Sequence, residues 1–246
     1  MGTVIVVTSG KGGTGKTSLT GGTASCLAAL GQKVLCIDLD VGLRNLDISL
    51  GMTDRALMDF TDVLEGRCTL ERAAVEHPVI RGLYLLTAPV RPSPAAMDEE
   101  KMRAMLETAR AQFDYILIAS PAGLGSGFRL SVCGADRAVV VSTNDSSALR
   151  DAQRTVVELD RQVDTIHLVM NRIQPKLLRR LRTTIDDAMD AAGLPLLGVV
   201  PEDSQVILAA NTGEPLILFS RKGAALAYLN IAKRLMGQRV PLMKIR

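Results

Sequence analysis

Nine consecutive residues near the start of the chain, Ser9-Gly10-Lys11-Gly12-Gly13-Thr14-Gly15-Lys16-Thr17, limit what it can fold into more than any other feature. They directly follow a short apolar run, residues 3–8, and directly open a helical stretch. Gly10 to Thr17 fits the pattern GxxxxGK[ST], whose strand–loop–helix setting is what a phosphate-binding loop requires. Glycines let the backbone turn tightly and aim several N–H groups at one point, and the helix N-terminus adds partial positive charge. In such a loop Lys16 reaches the β- and γ-phosphates and the Thr17 hydroxyl ligates Mg²⁺. A glycine-rich turn without a ligand would not need GKT at this position.

A loop of this kind presupposes a parallel sheet, and the remaining sequence supplies one. Apolar runs at 3–8, 33–38, 83–87, 115–119, 138–142, 166–170 and 196–200 are short and rich in Val, Ile and Leu, as strands buried on both faces are. Helical stretches are expected at 17–30, 98–113, 147–161, 177–192 and 221–236. This alternation predicts an α/β fold, a doubly wound, mostly parallel sheet with helices on both faces. The stretch 89–94, with Pro89, Pro92 and Pro94, reads as a connector. Residues 1–237 are expected to form a single domain and residues 238–246 a short basic tail. The hydrophobic fraction of 47% excludes a disordered chain. With aromatics at 3% and no Trp, stacking surfaces for single-stranded nucleic acid are not expected. A net charge of +3 is too small to imply nucleic-acid binding by itself. No run approaches the ~18 apolar residues of a membrane span, so a cytoplasmic protein is expected. Cys26, Cys36, Cys68 and Cys133 form no CxxC pair and are expected to be reduced and mostly buried, while His77 and His167 read as structural.

The second lysine of the loop, Lys11, makes it KGGxGK[ST]. This resembles the deviant Walker A (SIMIBI) P-loop NTPases, the family of ParA, the nitrogenase iron protein, the arsenite pump ATPase and MinD. The run Ile37-Asp38-Leu39-Asp40 followed by Gly42-Leu43-Arg44-Asn45-Leu46-Asp47 is similar to the MinD branch. Further similar stretches lie at 57–66, 68–75, 120–123, 143–144, 149–151, 198–203 and 211–215, so the resemblance covers roughly residues 2–240.

The resemblance implies an ATPase using ATP and Mg²⁺, with Gly10, Lys11, Gly12, Gly13, Thr14, Gly15, Lys16, Thr17 and Ser18 around the phosphates. It implies Asn171, Arg172, Pro201, Glu202 and Asp203 around the base, Thr17 and Asp38 at the metal, and Asp40 positioning the attacking water. Lys11 would cross a dimer interface to the partner's nucleotide and act with Lys16 and Asp40 in catalysis. The implied role is ATP-dependent homodimerisation in division-septum placement. Partners would be a MinC-like inhibitor and a MinE-like or DivIVA-linked topological factor, with peripheral contact at the inner face of the cell membrane. The charged helix containing Arg150, Asp151, Arg154, Glu158, Asp160 and Arg161 would be a partner surface or simply a solvated face.

Three departures stand out. Ala119 occupies the place of the family's Walker B aspartate, and no carboxylate replaces it, since Asp114 lies at the other end of the same strand. This points to weakened Mg²⁺ binding and turnover, and leaves open a hydrolysis-impaired nucleotide-binding scaffold. Leu124-Gly125-Ser126-Gly127 stands where the family usually has an acidic residue. The tail QRVPLMKIR is interrupted by Pro241 and too short for a defined apolar face. A ParA-like DNA or cargo partition ATPase is the remaining alternative. For it Lys176, Arg179, Arg180 and Arg182 would supply the basic patch, although these too could be a solvated face.

Overall fold

Each of the expected strands forms, and together they lie in one sheet. The computed structural model describes residues 1–91 and 97–243, so Pro92 and Pro94 of the proline stretch and Lys244, Ile245 and Arg246 of the tail lie outside the described residues. The strands are β1 (Thr3–Thr8), β2 (Val34–Asp38), β3 (Val75–Glu76), β4 (Leu83–Leu86), β5 (Tyr115–Ala119), β6 (Arg137–Ser142), β7 (Thr165–Ile173) and β8 (Leu196–Pro201). Their order is β3-β4-β2-β5-β1-β6-β7-β8. All pairings are parallel except β3 with β4. The two-residue β3 was not expected, because it is too short to leave a periodic signal.

Successive strand residues feed opposite cores. Val4 and Val6 join one apolar cluster and Ile5 and Val7 the other, all of them buried. On the Ile5 face lie α1 (Lys16–Ala29), α2 (Leu46–Ser49), α10 (Ser204–Thr212) and α11 (Gly223–Leu235). On the Val4 face lie α3 (Phe60–Leu64), α4 (Leu70–Ala73), α5 (Glu99–Arg110), α6 (Ser126–Val132), α7 (Ser146–Leu159) and α9 (Ile185–Ala192). The helices are thus on both faces, as a parallel sheet with no polar face demands. Cys26, Cys36 and Cys133 are buried and Cys68 is half-buried, all as free thiols.

One expectation needs correction. The single helix expected at 177–192 is broken. It forms α8 (Pro175–Leu181), which ends at Arg182 in the left-handed region (φ 53°), and then α9. Thr184 caps α9 in a capping box with Asp187, and this local signal overrides the continuous periodicity. The tail is not free along its described length. The Arg234 guanidinium donates to the carbonyls of Val240 and Pro241 as well as to Leu197 of β8, and Met243 packs against the α1/α11 core.

Candidate nucleotide site

The loop of residues 9–15 leaves the carboxyl end of β1, in the interior of the sheet, where an open α/β fold places its ligand. Gly15 caps α1 at φ 89°, and a Cβ there would lie 2.3 Å from Asn171 Nδ2. Gly10 is backed against α7, with 2.4 Å between a would-be Cβ and the Asp151 carbonyl. Gly12 and Gly13, by contrast, face open space. The loop is therefore pinned at both ends and open in the middle, the shape of a cradle.

The polar groups around the cradle are under-satisfied. Lys16 is buried, and its Nζ donates to Ser9 Oγ at 2.9 Å, its one hydrogen-bond partner among the described residues for three N–H donors. Burial pushes the Lys16 ammonium below its ordinary pKa, partly offset by the charge of Asp40. The Thr14 hydroxyl is buried without a partner among the described residues. A bound phosphate would relieve both groups.

Asp38, at the end of β2, is buried and pushed up to about 6, first by desolvation and further by the charges of Asp40 and Asp47. Its two oxygens each accept a backbone N–H, from Asp40 at 2.9 Å and Leu46 at 3.1 Å, leaving lone pairs for a cation. Asp40 is half-buried and also raised by burial, with Lys16 opposing the rise. No cluster of three or more His, Cys, Asp or Glu able to cage a metal exists among the described residues. That suits Mg²⁺, which takes one or two protein oxygens and completes its shell with phosphate and water. Thr17, in the first turn of α1, and Asp38 fit that limited role.

Ala119 pairs in register with Asp38 on one side and Val7 on the other and is buried. A side chain here shares the face of Asp38. Asp114 sits at the opposite end of β5, where it accepts from Lys33 N.

The pocket beside the loop is lined by Gly13, Gly15, Ser18, Asn171, Arg172, Val200, Pro201, Glu202, Asp203, Val206, Ile207 and Tyr228. This brings together residues from the loop, β7 and β8 that are far apart in sequence. Asn171 Nδ2 donates to the Thr14 carbonyl at 2.8 Å, and Arg172 bridges the Gly13 carbonyl and the Glu202 carboxylate. The Asp203 carboxylate is occupied structurally, capping α10 through Gln205 N and holding Ala224 N of α11. It ties the pocket wall to α10 and α11, and each of its oxygens keeps a lone pair.

Lys11 and Lys16 hold different partners. Its Nζ is 2.5 Å from Asp145 Oδ2 and 2.6 Å from Ser147 Oγ, at the N-terminus of α7. The Lys11 hydrogen bond, helped by the Ser147 hydroxyl and N–H, holds the Asp145 carboxyl down at about 2. Asp145 and Ser147 were missed in the sequence, as were Val206, Ile207 and Tyr228. An Asp before a helix signals a cap, but nothing local ties it to a lysine 134 positions earlier.

Fold and site together define a P-loop nucleotide-binding protein of the α/β class. A profile of the CobQ/CobB/MinD/ParA nucleotide-binding domain matches residues 5–216. The septum site-determining protein MinD of Synechocystis sp. is 40% identical over 246 residues, 99% of this chain and 92% of that protein. The MinC:MinD cell division protein complex of Aquifex aeolicus contains a chain with a TM-score of 0.91 at 38% identity, with 98% of this chain and 99% of that one covered. The septum site-determining protein MinD complexed with Mg-ADP from Pyrococcus horikoshii has a TM-score of 0.84 at 28% identity, covering 96% of each chain. The chain belongs to the MinD branch of this nucleotide-binding family.

Proposed function

We propose that the chain is an ATP-dependent dimerising switch of the MinD type, a spatial regulator of division-septum placement whose output is partner binding. The observation that carries this reading is the cradle at Gly12 and Gly13, flanked by an under-bonded buried Lys16 and an orphaned Thr14 hydroxyl. The loop N–H groups and the α1 N-terminus hold the phosphates, and Lys16 spans them as a charge partner. Thr17 and Asp38 are the residues that would hold Mg²⁺, which when bound offsets phosphate charge in the transferring group. Asp40, beside Lys16, orients the attacking water. Asn171, Arg172, Pro201 and Glu202 seat the base, and Ser18 lines the same pocket. Lys11, once released from Asp145, supplies charge to the nucleotide of a second copy, so that ATP is sensed by pairing. By analogy with the Aquifex complex a MinC-like inhibitor is the first partner. A MinE-like or DivIVA-linked factor and peripheral contact with the inner face of the cell membrane complete the reading, with the protein otherwise cytoplasmic. No helix among the described residues is long and apolar enough to cross a membrane.

A slow-turnover variant of this reading rests on Ala119. With one carboxylate missing beside Asp38, nucleotide binding and pairing persist while hydrolysis is weak. Phosphate release and ATP-dependent gel filtration of the chain beside Ala119→Asp and Lys16→Ala test both. Ala119→Asp is expected to raise turnover about 10–100-fold, the usual weight of one carboxylate near a metal. Lys16→Ala is expected to abolish nucleotide-dependent pairing. Equal turnover for the chain and Ala119→Asp would overturn the slow-turnover reading. An elution profile identical with ATP, ADP and no nucleotide would overturn the switch itself.

A further inference from the structure

His77 is buried, and none of the chemistry above uses it. It follows β3 and opens the turn to β4, and its own N–H donates to the Leu83 carbonyl at 2.7 Å, which fastens it to β4. Its ring is fully bonded. Nδ1 accepts from Val79 N at 3.1 Å and Ile80 N at 2.9 Å, so Nε2 carries the proton and donates it to the Leu50 carbonyl at 3.0 Å. Leu50 ends α2. At the other end of α2, Leu46 N donates to Asp38 Oδ2 at 3.1 Å. β4 pairs in register with β2, the strand that ends in Asp38. Asp38 and His77 are therefore carried by neighbouring strands, and α2 is strung between their side chains.

We propose that His77 is a positioning residue for the nucleotide reaction, holding α2 in the place from which Leu46 N orients the Asp38 carboxylate toward Mg²⁺. One turn of helix has no stability of its own. Leu46, Leu50 and Met52 are buried in the core they share with α1 and α11, which holds α2 down. Apolar contact has no direction, however, and does not set where along the sheet the turn lies. Hydrogen bonds do. Among the described residues, the side chains from outside residues 44–52 that bond to this stretch are Asp38 and His77, one at each end. Burial pushes the Asp38 carboxyl up, and the N–H groups of Asp40 and Leu46 oppose the rise. Without the Leu46 N–H, Asp38 is less ionised and less firmly aimed at a cation. An imidazole suits the far end of α2 because it closes the turn at Val79 and Ile80 and reaches Leu50 at once, which neither an amide nor a hydroxyl side chain can do. The proposal rests on the reading of Asp38 as the carboxylate of the metal site, and adds to it a residue that touches neither nucleotide nor metal.

The test separates the two sides of the ring. His77→Gln can place an amide N–H at the Leu50 carbonyl but cannot serve the turn, whereas His77→Asn can serve the turn but falls short of Leu50. Thr184→Ala, which loses a helix cap on the opposite face of the sheet, is the control for general destabilisation. Two quantities are read on the full chain. One is hydrogen exchange of residues 42–50 without nucleotide, by mass spectrometry. The other is the Mg²⁺ concentration that half-saturates the fluorescence change of bound N-methylanthraniloyl-ADP. In His77→Asn exchange is expected about fivefold faster and half-saturation at about fivefold more Mg²⁺, the weight of one hydrogen bond. His77→Gln and Thr184→Ala are expected to match the unaltered chain in both. No change in His77→Asn, or an equal loss in Thr184→Ala, overturns the proposal. Mg²⁺ affinity lost in folded His77→Gln overturns it whether or not His77→Asn folds. Faster exchange in His77→Asn with unchanged Mg²⁺ demand makes His77 a structural clasp alone and overturns the positioning role. Failure of the unaltered chain to bind N-methylanthraniloyl-ADP overturns instead the nucleotide reading on which the proposal rests, and the proposal with it.

Discussion

Lys11 carries two incompatible partners. In the single chain it closes on Asp145 and Ser147, while the proposed dimer requires it at a second copy's phosphates. Asp145→Asn keeps the cap acceptor for Ser147 N but removes the charge that holds Lys11. ATP-dependent pairing is then expected at lower protein concentration, read by light scattering across a dilution series. His77 has the reverse character, a residue outside the site whose part is in holding its surroundings. Its Nδ1 accepts from Val79 N and Ile80 N, so the ring is neutral with its proton on Nε2, donated to the Leu50 carbonyl at 3.0 Å. Burial, with Arg55 adding to it, lowers the His77 pKa below its ordinary 6.5. The unfolded chain therefore binds the proton more readily, and the stability contributed by His77 is complete above about pH 6.5 and lost as pH falls below it. The difference in melting temperature between the chain and His77→Gln is expected to shrink from pH 7.5 to 5, while Asp38, raised to about 6, and half-buried His167 contribute opposite trends common to both.

At the scale of elements, the clearest lesson is where periodicity ends and capping begins. The apolar pattern continues from Leu177 to Ala192, yet the chain breaks between them because Thr184 and Asp187 satisfy each other's backbone N–H groups. Without the Thr184 hydroxyl, one end of α9 loses its cap while Ala188 and Ala192 stay buried. Thr184→Ala is expected to cost about 1 kcal/mol, a fall in melting temperature of roughly 2–4 °C for a domain of this size. The short helices α2, α3 and α4 were invisible for the opposite reason, since four or five residues cannot express a helical period. Asp59 and Asp62 do form a capping box at α3, a signal present in the sequence but unread without a following apolar run.

For the whole molecule, one guanidinium joins the end of the chain to the sheet. Arg234 gathers the carbonyls of Leu197, Val240 and Pro241, and Gly198 lacks a side chain where Ile231 and Arg234 pass. Arg234→Ala is expected to free the segment after Gly237, so that trypsin cuts at Arg239 on the order of tenfold faster, the opening that follows loss of charged hydrogen bonds. The sequence by itself determined the layers of this protein and one edge of its site. Strands buried on both faces need continuous Val, Ile and Leu, and a phosphate loop needs its glycines and lysine at fixed spacing, so both are written locally. What faces the loop was decided by tertiary structure alone. Asp145 reached Lys11, Asn171 reached Thr14, Tyr228 reached the pocket beside the loop and Ala119 came to stand beside Asp38 because the order of the strands set them there, and strand order depends on how the two cores pack, which no short stretch of residues encodes.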